Sequence, residues 1–178
     1  IIERNARAQA QLIDDILEMS KIETGRVTLD VEALDLVEIA ETCVRLIEPR
    51  ARESSIHIEN RIKDAPSVQG DRRATKRILM NLLSNAVKFT QRGGPITLAV
   101  SVDADNVTLS VADNGIGISP GDLSRIGRPF EQVENHQSRR HRGTGLGLAI
   151  SMALSEMQGG ALKIESSEGV GTTVYVTL

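Results

Sequence analysis

Three glycines at alternate positions, Gly143, Gly145 and Gly147, lead directly into an apolar run with helical spacing. Glycine allows positive φ angles and lets another group approach the main chain closely. The N-terminus of a helix carries free N–H groups and a partial positive charge, so a glycine-rich entry to a helix can hold an anion such as phosphate. A flexible loop before an ordinary amphipathic helix explains the same glycines equally well, so other parts of the chain must decide between the two.

The composition is that of an ordinary globular protein. The 178 residues are 40% hydrophobic and 25% charged, with a net charge of −3, so no basic excess indicates a nucleic-acid partner. Cys43 is the single cysteine, which excludes a disulfide framework and fits a reducing compartment such as the cytoplasm. No apolar run approaches the ~20 residues of a membrane span. Because the chain begins without methionine, inside a helical pattern, we expect a piece of a longer protein.

Hydrophobic periodicity predicts helices and strands in mixed order. We expect helices over 1–22, from 35 to near Pro49 or a few residues beyond it, over 72–89, a short one from 120, and one from the glycines to 158. We expect strands near 27–31, 56–62, 96–102, 107–111, 162–165 and 173–176. Asp35, Asp71 and Ser119 stand where they can cap the helices that follow them. This order predicts an α+β domain with a mixed or antiparallel sheet, preceded by one long helix.

The first predicted helix carries an apolar stripe that a compact domain does not obviously cover. The stripe consists of Ile2, Ala6, Ile13, Ile16 and Leu17, widened by Leu12 and Met19. Such a face favours a partner helix, and therefore self-association through residues 1–22.

A polar stripe on the helix over 72–89 is the strongest indication of a site. Asn81, Asn85 and Lys88 lie within roughly 60° of one another at 100° per residue, on a helix that otherwise has the pattern of a well-buried one. Two amides and an ammonium are poor core residues without partners, so we expect them to line a cavity. A solvated helix face is the alternative interpretation.

Two more segments could complete such a site. Asp113 ends a predicted strand and is followed by Gly115 and Gly117, a pattern that can place a carboxylate at the edge of a site or form a plain turn. Residues 135–142 are polar and basic without any apolar anchor, which would suit a mobile lid over an anion. His136 and His141 lie in this segment without acidic neighbours at metal-ligand spacing, so we do not expect them to bind a metal.

Two common phosphate-binding motifs fit poorly. The spacing G-x-G-x-G differs from the dinucleotide fingerprint G-x-G-x-x-G, and a charged segment precedes the glycines where that motif requires a strand. A P-loop is excluded because no Gly-Lys-Ser/Thr sequence is present.

Four stretches, in order, resemble the nucleotide-binding boxes of sensor histidine kinases. Residues 81–90 resemble the N box, 113–118 the first glycine box, 128–132 the F box and 143–148 the second glycine box. Residues 1–24 resemble the second helix of that family's dimerisation hairpin, and 130–135 with the following basic run more weakly resemble the DivJ/PleC group of cell-cycle kinases. The resemblance implies a two-layer α/β sandwich of the histidine-kinase-like ATPase type over residues 35–178, with 25–34 as linker and short strand.

The resemblance also implies roles for individual residues. Asn85 would coordinate Mg²⁺, with Asn81 helping directly or through water, since Mg²⁺ takes oxygen ligands. Lys88 would contact the phosphates of ATP, and Asp113 would accept a hydrogen bond from the adenine amino group. The remaining implied residues form the base pocket and lid: Phe89, Gly115, Gly117, Ile118, Phe130, Arg139, Arg140, Arg142, Gly143, Thr144, Gly145, Leu146, Gly147 and Leu148. Phe130 would anchor the lid, with a core position as its alternative.

One departure from the family's pattern restricts the expected activity. Nothing in these residues resembles the H box that carries the phosphoacceptor histidine, and His57 falls on the surface of a predicted strand. The sequence therefore predicts an ATP-binding catalytic domain that passes the γ-phosphate to a histidine outside these residues, for relay to a response-regulator receiver domain, and that does not phosphorylate itself. A kinase-like interaction module without phosphotransfer, and a topoisomerase or mismatch-repair ATPase subunit, are the alternatives.

Overall fold

A computed structural model describes residues 2–103, 106–132 and 143–178 of the chain. The helices are α1 (Ile2–Glu23), α2 (Leu36–Glu53), α3 (Arg72–Phe89), α4 (Pro120–Leu123) and α5 (Gly147–Met157). The strands are β1 (Val31–Leu34), β2 (His57–Asn60), β3 (Val68–Asp71), β4 (Pro95–Val102), β5 (Val107–Asp113), β6 (Ala161–Ser167) and β7 (Gly171–Thr177). The predicted helices and most predicted strands are present.

The main sheet has the strand order β2-β4-β5-β7-β6. Strands β2 and β4 are parallel, whereas β4–β5, β5–β7 and β6–β7 are antiparallel, so the sheet is mixed. Helix α3 packs against both α2 and α5, and contacts β5 of the sheet. The predicted α+β class, with a long helix before the domain, is confirmed.

Aliphatic side chains fill the space between the helices and the sheet. In β5, Val107, Leu109 and Val111 are buried while the residues between them are half-buried, as alternation along a strand requires. Leu83 of α3 and Ile150 of α5 are fully buried in the same core. No aromatic side chain belongs to this core in the described part of the chain, in agreement with an aromatic content of 2%.

Side-chain caps fix where three helices begin. The carboxylate of Asp35 accepts a hydrogen bond from the Glu38 N–H at 3.0 Å, and that of Asp71 accepts one from the Ala74 N–H at 2.8 Å. The hydroxyl of Ser119 does the same for Asp122 at 3.2 Å. These interactions satisfy N–H groups that have no partner within the helix, so all three predicted caps are confirmed.

The predicted strand over 27–31 is wrong in its position. The observed strand β1 begins at Val31 and pairs antiparallel with β3, which the sequence did not predict. The β3 residues, Val-Gln-Gly-Asp, lack the alternation of a half-buried strand. Their extended conformation depends on pairing with residues 34 to 40 positions away in the sequence, which no local pattern reports.

Helix α1 contacts the rest of the chain along one side only. Met19 and Ile22 pack against the core, and α1 contacts α5. The predicted apolar stripe remains exposed at Leu12, Ile13, Ile16 and Leu17, and the side chain of Ile2 lies outside the described part. Among the described helices, none combines the length and apolar character needed to cross a bilayer.

Candidate functional site

The polar stripe of α3 lies beside the buried face of the helix, at positions that are less buried. Leu79, Leu83 and Ala86 face the core, whereas Asn81, Asn85 and Lys88 are half-buried. A half-buried amide or ammonium keeps part of its polar surface available for a ligand. The arrangement therefore favours the predicted cavity lining over a solvated helix face.

Asn81 joins α3 to the second glycine segment, residues 143–148. Its Nδ2 donates to the Gly147 carbonyl oxygen at 3.0 Å and to the Ser151 hydroxyl at 3.2 Å. These bonds occupy the amide nitrogen and leave the Oδ1 atom as the part of the side chain that could face a ligand. Asn81 thus has a structural role that the sequence did not reveal.

Asn85 is the residue of the stripe best suited to hold a cation. Within the described ranges its half-buried side chain makes no hydrogen bond. A single amide oxygen fits Mg²⁺, which keeps several waters and commonly uses only one or two protein ligands beside substrate phosphates. No cluster of three acidic, histidine or cysteine residues in the described chain offers another metal site.

Lys88 extends from α3 toward the second glycine segment. Its Nζ lies 4.6 Å from the centre of the Phe89 ring, and 3.0 Å from the point where a Cβ on Gly143 would stand. Burial lowers the pKa of Lys88, and the positive charge of Arg50 lowers it further. No carboxylate within the described ranges pairs with this ammonium. A half-buried cation beside a second cation, without an acid, is suited to bind an anion.

Arg50 is a second cation beside the stripe that the sequence did not single out. It stands in the last turn of α2, and its Nη1 donates to the Ser84 hydroxyl of α3 at 3.1 Å. The packing of α2 against α3 brings together two residues that are 34 positions apart in the sequence, and no short-range pattern could have predicted this contact.

Asp113 ends β5, where the strand leaves the sheet. Its Oδ1 accepts a hydrogen bond from the Gly115 N–H at 2.8 Å. Burial raises the pKa of Asp113, although the N–H groups of Gly115 and Thr172 act in the opposite direction. A half-buried carboxylate held in this way can recognise a hydrogen-bond donor on a ligand with high directionality.

Gly115 and Gly117 are required by close packing of the backbone. A Cβ on Gly115 would collide with the carbonyl of Phe89, and one on Gly117 would collide with that of Ser167. Gly117 also has φ +65°, which disfavours other residues. The half-buried Ile118 donates its N–H to the Ser166 hydroxyl at 2.9 Å. The loop after β5 is thus held between the end of α3 and the β6–β7 hairpin.

The two segments that flank the predicted lid, residues 130–132 and 143–145, lie against each other. The Phe130 N–H donates to the Gly145 carbonyl oxygen at 3.1 Å, and Gln132 Nε2 donates to the Gly143 carbonyl oxygen at 2.8 Å. Gly145 has φ +73°, and a Cβ there would lie 2.8 Å from the Phe130 backbone. The expected lid residues Arg139, Arg140 and Arg142, and both His136 and His141, lie outside the described residues.

The side chains around the second glycine segment divide into exposed and buried ones. Phe130 is 62% exposed with φ +66°, so its alternative role as a core residue is wrong. Leu146 is fully buried in the core, so only its backbone could reach a ligand, while Leu148 is half-buried. Gly147 begins α5, so the free N–H groups of that helix face the same region.

The sequence matches a known protein family and several of its members. Residues 70–178 match the family described as histidine kinase-, DNA gyrase B-, and HSP90-like ATPase. The histidine protein kinase DivJ of Caulobacter vibrioides is 42% identical over 94% of this chain, and a sensor-like histidine kinase of Rhizobium meliloti is 37% identical over all of it. The chain spans only 28% and 34% of the lengths of these two relatives.

Solved structures of histidine kinases share the fold. Full-length ShkA in complex with AMPPNP superposes with a TM-score of 0.83 at 31% identity, over 94% of this chain and 35% of that one. The catalytic domain of ThkA, free of nucleotide, superposes with a TM-score of 0.72 at 27% identity, over 84% of this chain and 97% of that one. The resemblance to DivJ seen in the sequence is confirmed. The chain belongs to the family of histidine kinase-, DNA gyrase B- and HSP90-like ATPases, and within it is homologous to the sensor histidine kinases.

Proposed function

We propose that this chain binds ATP with Mg²⁺ and supplies the catalytic part of a sensor histidine kinase. The observation that carries the proposal is the meeting of three features: the polar stripe of α3, the carboxylate of Asp113, and the glycine segment at the start of α5. Lys88 approaches the position of Gly143 within 3.0 Å of a notional Cβ, so one cation reaches both the stripe and the glycines. In the full protein the γ-phosphate of ATP would pass to a histidine, and from there to an aspartate of a receiver domain.

Each residue would make a distinct contribution. Asp113 would accept a hydrogen bond from the adenine amino group, while Phe89, Ile118 and Leu148 would provide apolar contacts to the base. Lys88 and the N–H groups at the start of α5 would stabilise the phosphates. Bound Mg²⁺ would neutralise phosphate charge and orient the outer phosphates, held on the protein side by Asn85. Phosphoryl transfer depends mainly on such positioning and charge stabilisation.

The acceptor histidine is proposed to lie outside these residues. His57 is exposed on β2, a strand at the edge of the main sheet, rather than on a helix of the hairpin. We therefore propose the division into 1–24 as one helix of a phosphoacceptor hairpin, 25–34 as linker and 35–178 as catalytic domain, with the cytoplasm, where ATP is abundant, as its location.

Titration calorimetry with ATP and Mg²⁺ tests nucleotide binding. We expect the wild type to bind and Asp113→Ala to bind much more weakly. Asp64→Ala removes a carboxylate that is exposed in the loop between β2 and β3, and should bind like the wild type. Absence of binding by the wild type, or equal binding by Asp113→Ala, would contradict the proposal.

Phosphotransfer requires a separate experiment. The chain is incubated with labelled ATP and with hairpin domains of related kinases that carry an acceptor histidine. Label on the histidine supports the kinase function, and no label is expected on this chain alone. Binding of ATP without transfer to any of several hairpins would favour the alternative, a nucleotide-binding interaction module.

A further inference from the structure

Asp15 of α1 is a buried carboxylate that the nucleotide site described above does not use. It is 4% exposed although it lies on a helix whose apolar stripe is exposed. Its Oδ1 accepts hydrogen bonds from Arg77 Nη2 of α3 and from Gln11 Nε2, the latter at 2.7 Å. Its Oδ2 accepts a hydrogen bond from the Thr144 hydroxyl at 3.1 Å. Asp15 therefore connects α1 both to α3 and to the second glycine segment.

The bond to Thr144 reaches the start of α5. The Thr144 hydroxyl donates to Asp15 and also accepts a hydrogen bond from the Leu146 N–H at 3.2 Å. Leu146 precedes the first residue of α5, where N–H groups without helical partners are the natural donors for an anion. While α1 is docked, the Thr144 hydroxyl donates to Asp15, and the oxygen of that same hydroxyl holds the Leu146 N–H.

The charges of the cluster oppose an anion at the same place. Asp15 and Glu18 both pair with Arg77, the latter at 3.0 Å, so the three side chains carry a net charge of −1. Asp15 is hardly exposed, so solvent screens its charge little. A negative group in contact with the glycine segment raises the free energy of a nearby polyphosphate.

One buried hydrogen-bond donor at the contact between α1 and the domain also lacks a partner among the described residues. Arg77 Nε is buried without a hydrogen-bond partner among the described residues, although the guanidinium is held between two carboxylates. A buried donor without a partner costs free energy. This cost makes the contact between α1 and the domain easier to release than a fully bonded one.

We propose that Asp15 is a positioning residue through which the docked helix α1 lowers the affinity of the glycine segment for the triphosphate of ATP. The inference rests on the proposed ATP binding. It adds to the nucleotide site a residue that lies outside the four nucleotide-binding boxes. Because coupling between two binding equilibria is reciprocal, bound ATP should in turn weaken the docking of α1. Nucleotide binding would then free the hairpin helix, and a shift of the hairpin would change nucleotide affinity.

The decisive variant is Asp15→Asn, which keeps the shape and one acceptor oxygen but removes the charge. Asp14→Asn is the matched control, because the neighbouring carboxylate is exposed. Calorimetry is done with ATP, ADP and adenosine in the presence of Mg²⁺. We expect Asp15→Asn to bind ATP about fivefold more tightly than the wild type, ADP with a smaller gain and adenosine without change, whereas Asp14→Asn matches the wild type. A merely structural role of Asp15 would not produce this dependence on the number of phosphates.

Two further measurements do not depend on that variant. Glu18→Gln removes the second acid of the cluster, and should tighten ATP binding by a smaller factor because Glu18 does not touch Thr144. In the wild type, ATP should speed amide hydrogen exchange over residues 9–20, and adenosine should not. Equal ATP affinity of wild type and Asp15→Asn, weaker binding by the variant, or protection of α1 by ATP would each overturn the inference. If the wild type binds ATP and these effects are absent, only the inference fails; if it does not bind ATP, the proposed function fails with it.

Discussion

Lys88 is the residue whose charge state should most directly control phosphate binding. Burial and the nearby Arg50 lower the pKa of its ammonium in the free protein. A bound phosphate favours the charged form, so binding takes up a proton once the pH exceeds the lowered pKa. ATP affinity should therefore fall as the pH rises through this value, below the pKa of an ordinary lysine of about 10.4.

Lys88→Arg tests this explanation, because arginine stays charged over the whole accessible range. We expect the variant to lose the alkaline decrease in ATP affinity, measured by calorimetry in a series of buffers. Lys76→Arg, a change of the same kind on the same helix, serves as the control and should retain the decrease. An unchanged pH profile in Lys88→Arg would assign the titration to another group.

Asp113 combines a cost in stability with a gain in recognition. Burial raises the pKa of its carboxyl, so the folded protein binds the proton more readily than the unfolded chain does. The free energy of unfolding contributed by this group consequently increases as the pH falls through the raised pKa, and at neutral pH the charged form is destabilising. A ligand that hydrogen-bonds to the charged carboxylate would offset this cost.

Asp113→Asn should separate the two effects. The amide oxygen can still accept the Gly115 N–H, so we expect an unchanged or higher melting temperature at pH 7. ATP affinity should decrease about tenfold or more, since a hydrogen bond to a charged group is worth about 1.5–3 kcal/mol. Thermal unfolding and calorimetry on the same sample measure both. A variant that melts earlier and binds ATP as well as the wild type would contradict this interpretation.

At the scale of elements, Asp71 fixes the start of α3 and thereby the position of the polar stripe. Its Oδ1 accepts the Ala74 N–H and its Oδ2 accepts the Asp30 N–H at 2.7 Å. Burial by itself would raise the pKa of Asp71, but the backbone donors, Ala74 first and then Asp30 and Arg73, bring it below the ordinary value. The stabilisation is therefore complete above the pKa of an unfolded aspartate and is lost as the pH falls below it.

Asp71→Ala should lower the free energy of unfolding by about 2 kcal/mol at pH 7, because it removes a cap and leaves a second N–H without its partner. Asp35→Ala is the comparison, since it removes an exposed cap with one N–H and should cost about 1 kcal/mol. Urea unfolding at pH 7 and at pH 3 measures both. The difference in free energy of unfolding between Asp71→Ala and the wild type should be smaller at pH 3 than at pH 7. An equal difference at both pH values would exclude the charged carboxylate as its source.

Local sequence patterns predicted the helices and strands that interactions between nearby residues determine. The bounds of α3, its cap at Asp71 and the polar stripe follow from periodicity and from side-chain chemistry within a few turns. The β1–β3 pair was missed or misplaced because its stability comes from residues distant in the sequence. Asn81 shows the same limit within the site: its place on a polar stripe was predicted, but its bond to Gly147 depends on how α3 and α5 pack.

At the scale of the whole molecule, α1 is the helix that exposes an apolar side to solvent. One side docks on the domain through Asp15, Met19 and Ile22, while the apolar stripe faces solvent. A second copy of the same helix is the simplest partner that would cover this stripe, in accord with the proposed dimerisation hairpin. Burial of one large aliphatic side chain stabilises an interface by about 1.5–3 kcal/mol, so a single charge in the stripe should be enough to disrupt it.

Leu17→Glu places a charge in the centre of the exposed stripe, at a side chain that is 53% exposed and so contributes little to the fold of the domain. We expect light scattering during size-exclusion chromatography to show concentration-dependent association of the wild type and a monomer for Leu17→Glu, with equal melting temperatures at low concentration. Gln9→Glu introduces the same charge at an exposed polar position of α1 and should associate like the wild type. If Leu17→Glu still associates, a surface other than the stripe of α1 holds the copies together. If the wild type remains monomeric at high concentration, the stripe requires the other helix of the hairpin to form an interface.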